Sequence, residues 1–171
     1  MEDPFGSHRL LQARDIQENS INWQGAMRFN PKGDPKRYLI QADNILFIAR
    51  GYKNCAHLFN ETPENLIAST SFYIIKVTSP KIVPGFLRWW MNQAQAQAYF
   101  AQFQVRSGFA YMSKTNLKEL QVPMPPLATQ RQIAELQHLR EKEKALTQQI
   151  NHKKAQFINA VCLSKILNKE R

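Results

Sequence analysis

Two stretches of the chain carry side chains suited to gripping a polyanion and reading a hydrogen-bonding edge. Arg50-Gly51-Tyr52-Lys53-Asn54 and Arg106-Ser107-Gly108-Phe109-Ala110-Tyr111 each combine a guanidinium, a glycine and an aromatic ring. Lys and Arg neutralise phosphates and release counterions, which supplies affinity. Arg on guanine and Asn or Gln on adenine supply base selectivity. Glycine lets the backbone come close to a ligand. The expected nucleic-acid contacts are all five residues of the first stretch and Arg106, Ser107, Gly108 and Tyr111 of the second. Lys114 and Lys118 follow on a short helical pattern and suit phosphates, and Lys32, Lys36 and Arg37 form a third group.

Catalytic chemistry is not visible. The sequence has no GxxxxGKS or GxxxxGKT phosphate loop, no GxGxxG and no GxSxG nucleophile elbow. His8, His57, His138 and His152 make no i, i+4 pair, and Cys55 and Cys162 lie too far apart for a metal knuckle. Asp34-Pro35-Lys36 has the letters of a D-x-K metal-nuclease element. It sits in a proline–glycine turn, however, and the nearest acid upstream is Asp15, in a polar stretch. Turn chemistry explains it better. Met124-Pro125-Pro126-Leu127 lacks the polar residue that an amino-methyltransferase motif needs before its prolines. No catalytic residue, metal or cofactor is expected.

The elements that would position the two stretches are mostly strands. The pattern predicts strands near residues 21–30, over Tyr38–Gln41, over Asn44–Arg50, over Cys55–Phe59 and over Ser71–Val77. NILFIAR is dense enough to be buried on both faces. PKGDPKR and ETPEN read as turns. A helix is expected from Pro84, which suits a first-turn position, to about Gln104, with Trp90 in the core. Ser113 is the expected N-cap of a short helix, and Gln121–Met124 the last strand before Pro125-Pro126 closes the domain.

Beyond Leu127 the texture changes. Thr129 to about Leu167 has neither Pro nor Gly and reads as one helix of about 40 residues, ~60 Å long. Leu136, Leu139, Leu146, Ile150 and Phe157 recur at 3–4 spacing, with Val161 beside them, and form the expected seam of a coiled coil. A helix this long with a thin apolar stripe calls for another long helix. The sequence offers no second one, so the expected partner is another copy or another protein, through these residues. The fold class expected is α+β: a small mixed sheet domain with packed helices over residues 1–126, then the long helix over 127–171.

Charge divides along the same boundary. The 171 residues carry a net charge of +10 and are 43% apolar, which excludes a disordered tail. Between Ser20 and Lys118, twelve basic residues face four acidic ones, a net +8 interleaved with aromatic rings. The segment from Ala128 carries nine basic and four acidic residues, but signs alternate as on a solvated helix face. No apolar run approaches ~18 residues, so no membrane span is expected. The first residues lack a signal-peptide pattern, and two separated cysteines suggest a reducing, cytoplasmic setting.

The order of these features resembles a known family. DNILFIARG, then SFYIIKV, PGFLRWWMNQAQAQAYF and VRSGFAYMSKTNLKELQVPMPPLATQRQIA leading into a long polar helix is similar to the DNA-specificity (S) subunits of type I restriction–modification systems. The stretch Ser113–Ile133 carries most of the resemblance, which extends over nearly the whole chain. It implies a target recognition domain followed by a helical spacer, binding double-stranded DNA. It also implies a separate methylation subunit, and a restriction subunit where one is present. Such subunits usually hold two recognition domains and two long helices, whereas this sequence holds one of each. The resemblance therefore implies a half subunit whose two copies pair antiparallel, reading a bipartite palindromic target with the spacer as a ruler. Other readings stay open: a stand-alone DNA-binding regulator, a coiled-coil adaptor binding RNA or an acidic partner, and an unrecognised nuclease.

Overall fold

The structure, a computed structural model, describes residues 3–17, 20–21, 26–51, 53–61, 64–103 and 110–167. It is α+β, as the sequence pattern predicts. The strands are β1 (His8–Leu11), β2 (Ile16–Gln17), β3 (Ser20–Ile21), β4 (Met27–Phe29), β5 (Asn44–Ile48), β6 (Arg50–Gly51), β7 (Ala56–Leu58), β8 (Leu66–Ala68), β9 (Phe72–Lys76) and β10 (Ala110–Tyr111). The helices are α1 (Pro84–Met91), α2 (Ala94–Ala101), α3 (Lys114–Lys118) and α4 (Leu127–Leu167). The chain divides into two compact units, residues 1–135 and 136–171.

β5 organises the first unit. It is the middle strand of an antiparallel sheet ordered β7-β5-β9, and all five of its residues are buried. Successive side chains of a strand point to opposite faces, so β5 feeds two cores. Leu46 and Ile48 pack with Leu11, Ile40, Phe59, Leu66 and Phe72, the side toward a second sheet ordered β4-β1-β8. Ile45 and Phe47 pack with Met91, Ala96, Phe100 and Met112, the side covered by α1 and α2. Phe47 and Phe100 meet edge to face at 5.1 Å between ring centroids. The sheet is thus the middle layer of three, which is why NILFI carries no polar alternation.

Several elements differ from the sequence pattern. The strand expected at Tyr38–Gln41 is reduced to one bridge, Leu39 to Ile67. Tyr38 holds a helical backbone at the end of the 3-10 turn Pro35–Arg37, and Asn44 Oδ1 accepts from Gln41 N at 3.1 Å, so the chain turns instead of extending. The single helix expected from Pro84 breaks at Asn92–Gln93, where the Asn92 side chain bonds to β7 and Gln93 is extended. Gln121–Met124 forms no ladder. Pro123, Pro125 and Pro126 donate no N–H, and the carbonyls of Gln121 and Pro125 accept from the side chains of Trp90 and Gln130. β1 and β8, which pair in parallel, went unread in the sequence. Of the strand expected over 21–30, residues 22–25 lie outside the described residues, and β4 occupies its end.

Most other local expectations hold. Pro84 opens α1, and the Ser113 side chain caps α3 by accepting from Asn116 N at 3.0 Å. Trp90, expected in the core, is instead only partly buried and outside both core clusters, with its indole N–H donated to the Gln121 carbonyl at 3.0 Å. α4 runs unbroken for 41 residues. Among the described residues, no helix is long and apolar enough to cross a membrane.

Candidate nucleic-acid interface

The two stretches singled out in the sequence are joined by backbone pairing. β6 and β10 form a two-stranded antiparallel ribbon in which Arg50 opposes Tyr111 and Gly51 opposes Ala110. The ribbon grows out of the buried sheet. Ala49 N and Arg50 N both donate to the Ser71 carbonyl, at 2.8 and 3.1 Å, and Met112 N donates to the Ala49 carbonyl at 2.8 Å. Met112 is fully buried, which anchors the second strand. A Cβ on Gly51 would come within 3.1 Å of Ile48 Cγ2, so glycine there keeps the ribbon close to the core.

Cations and rings alternate across this ribbon. The Arg50 guanidinium lies 5.0 Å from the centroid of the Tyr111 ring, and Tyr111 is 45% exposed. Tyr73, from β9, donates its hydroxyl to the Met112 carbonyl at 3.0 Å. The Lys114 ammonium sits 5.6 Å from the Tyr73 ring. The Tyr73 hydroxyl is pushed above its ordinary pKa by burial first and by neighbouring Tyr111, with Arg50 opposing the shift. Tyr73 was read in the sequence only as strand. Its place opposite Phe72 and Ile74 in the β9 alternation was the available signal, because it is the polar-tipped ring on its face.

The other candidates fall into three groups. Lys53, Lys114 and Lys118 are exposed, and α3 is pinned beneath its lysines by the Tyr99 hydroxyl donating to the Asn116 carbonyl at 2.7 Å. Among the described residues, no carboxylate stands within ion-pair distance of Arg50, Lys53, Lys114 or Lys118. Lys32, Lys36 and Arg37 are exposed around the Pro35–Arg37 turn, and no bond among the described residues ties them to the ribbon. Tyr52, Arg106, Ser107 and Gly108 lie outside the described residues.

Asn54 has a different place from the one its residue type suggests. It is 2% exposed, and its amide donates to the Ile48 carbonyl at 2.8 Å and the Ala49 carbonyl at 3.5 Å. It closes the turn that follows the ribbon's first strand. Asp34 and Lys36 are likewise occupied locally: Asp34 Oδ1 accepts from Lys36 N at 3.0 Å and caps the 3-10 turn. Asp15 accepts from Gln12 N at 2.8 Å within its own turn. Among the described residues, no three His, Cys, Asp or Glu side chains gather as metal ligands.

The second unit carries the other candidate surface. Leu136, Leu139, Leu146, Ile150, Phe157 and Val161 are all exposed along α4, Phe157 most at 70%. The junction before them is well fixed within the first unit. Gln130 is 1% exposed and uses every polar atom of its amide, accepting from Val83 N at 2.9 Å and donating to the carbonyls of Lys81 (3.0 Å) and Pro125 (2.8 Å).

A family model described as the type I restriction modification DNA specificity domain matches residues 16–153, most of the chain. No curated protein matches it.

Proposed function

The chain belongs to the family of type I restriction–modification DNA specificity domains, and from that premise we propose that it is the sequence-reading component of a DNA methyltransferase or restriction complex in the cytoplasm, working as a pair of identical copies on a two-part target. Its role is recognition; methyl transfer, and cleavage where it occurs, belong to separate subunits that dock on it.

The observation that carries the DNA face is the β6–β10 ribbon. It presents Arg50 and Tyr111 side by side, with Lys53, Lys114 and Lys118 exposed and free of carboxylate neighbours among the described residues. The lysines neutralise phosphates and fix register, and the ribbon supplies the base-reading groups. The third group, Lys32, Lys36 and Arg37, adds phosphate contact. Arg106, Ser107, Gly108 and Tyr52 are assigned to the same face on residue type. Asn54 is reassigned: it holds the recognition turn in shape from beneath and does not touch DNA.

The exposed stripe on α4 supports pairing. Six apolar side chains at coiled-coil spacing, each at least 37% exposed, form a seam that a second copy would cover. Twofold symmetry makes the two half-sites identical and inverted.

Duplex binding by the full chain across a salt series tests the electrostatic part. The logarithm of the binding constant falls with log salt by about 0.9 for each phosphate neutralised. A slope near zero contradicts the assignment and favours an adaptor that binds protein.

A further inference from the structure

We infer that Arg50 reads a guanine in each half-site, with Tyr111 as the positioning residue that holds its guanidinium for that contact. The inference rests on the specificity-subunit reading and adds which base the ribbon selects and with what.

The major groove of B-DNA is wide enough to admit a two-stranded β-ribbon. β6 and β10 are such a ribbon, rooted in the core through Ala49 and Met112. Arg50 is exposed on it, and its direct cross-strand partner is Tyr111. The Arg50 guanidinium carbon lies over the Tyr111 ring, 5.0 Å from its centroid and within cation–π range. A guanidinium carries a planar fork of N–H donors, and guanine O6 and N7 offer a matching pair of acceptors in the major groove. Among the described residues, no carboxylate competes for the fork.

The same geometry separates Arg50 from the lysines around it. A phosphate contact needs charge and tolerates a mobile arm, which Lys53, Lys114 and Lys118 provide. A base contact needs a donor pair held at fixed angle, and the contact with the Tyr111 ring reduces the rotamer freedom that a free arginine would lose on binding. Tyr111 is itself held in place, because its neighbour Met112 is buried and donates to the Ala49 carbonyl.

The test is selection from a randomised duplex library by the full-length chain at low salt, followed by sequencing of the bound fraction. Wild type is expected to enrich a motif with a guanine in each half. Arg50→Ala and Arg50→Lys are expected to lose the preference for that guanine by roughly 5- to 150-fold while the other positions persist. Tyr111→Phe, which keeps the ring, is expected to retain the preference, and Tyr111→Ala to weaken it with the urea midpoint checked for intact folding. If Arg50→Ala keeps every base preference, binds all sequences less tightly and loses about one counterion from the salt slope, Arg50 is a phosphate contact and the inference is overturned. If wild type enriches no motif at all, the specificity-subunit reading fails together with it.

Discussion

Asn92 and Ala56 exchange a reciprocal pair of hydrogen bonds. The Ala56 N–H donates to Asn92 Oδ1 at 3.0 Å, and Asn92 Nδ2 donates back to the Ala56 carbonyl at 2.8 Å. A side-chain amide thus does for the free edge of β7 what another strand would do, and the same Nδ2 also bonds the Arg88 carbonyl at 3.1 Å. This clasp explains why α1 and α2 are two helices. Asn92→Ala strands the polar backbone of Ala56, which is 2% exposed. The expected loss is about 2–4 kcal/mol in urea unfolding, because buried groups left without partners cost more than an average hydrogen bond contributes. A loss under about 0.5 kcal/mol would show that water replaces the clasp.

Gln130 ties the start of α4 to the chain before α1, so its replacement should be felt strongly. Gln130→Ala removes three hydrogen bonds in a fully buried site, and a loss of about 2–4 kcal/mol is expected. Gln130→Glu should be worse at neutral pH, since a carboxylate there would face the carbonyls of Lys81 and Pro125 where donors are needed. Protonation restores one donor, so this variant is expected to recover part of its deficit relative to wild type on acidification. Urea melts at two pH values measure both effects.

Cys55 gives a pH signature on the alkaline side. Burial pushes its thiol from the ordinary value of 9.0 up to about 11, with Lys53 partly opposing. The folded state therefore keeps this proton while the unfolded state has released it. The contribution to stability is intact below pH 9 and is lost as pH rises from 9 to about 11. Cys55→Ala should flatten the stability curve over that window relative to wild type. In thiol labelling at neutral pH, exposed Cys162 should react well before Cys55.

The proposed pairing of copies should depend on the middle of the α4 stripe. Leu146 and Ile150 are each about half exposed, one turn apart. Changing both to Asp places charge on the proposed seam, and sedimentation should report monomers where wild type reports dimers. An unchanged dimer would move the interface elsewhere.

What was legible in the sequence was local. The Ser113 cap, Pro84 at a helix start, the doubly buried NILFI run and the unbroken α4 all follow from chemistry within a few residues. What escaped was set by partners far along the chain. The break between α1 and α2 needs Ala56, and the short β8 is a strand because β1 lies beside it in parallel. The candidate site shows the same division. Arg50 and Tyr111 could each be chosen from residue type, but nothing in the sequence pairs them across a ribbon. Asn54 looked like a base reader because residue type says nothing of burial, and its Nδ2 donates to the Ile48 and Ala49 carbonyls.

If two identical copies of this chain choose where a partner subunit methylates DNA, the pattern of methylation must carry their twofold symmetry. Mapping modified bases across the genome of cells that express the chain together with a methylation subunit of a type I system measures this directly. Methylation is expected at one motif only, made of two inverted, identical halves separated by a gap of constant length, and is expected to be lost when Leu146 and Ile150 are changed to Asp. Methylation that is absent, or confined to an asymmetric motif, would contradict the proposal.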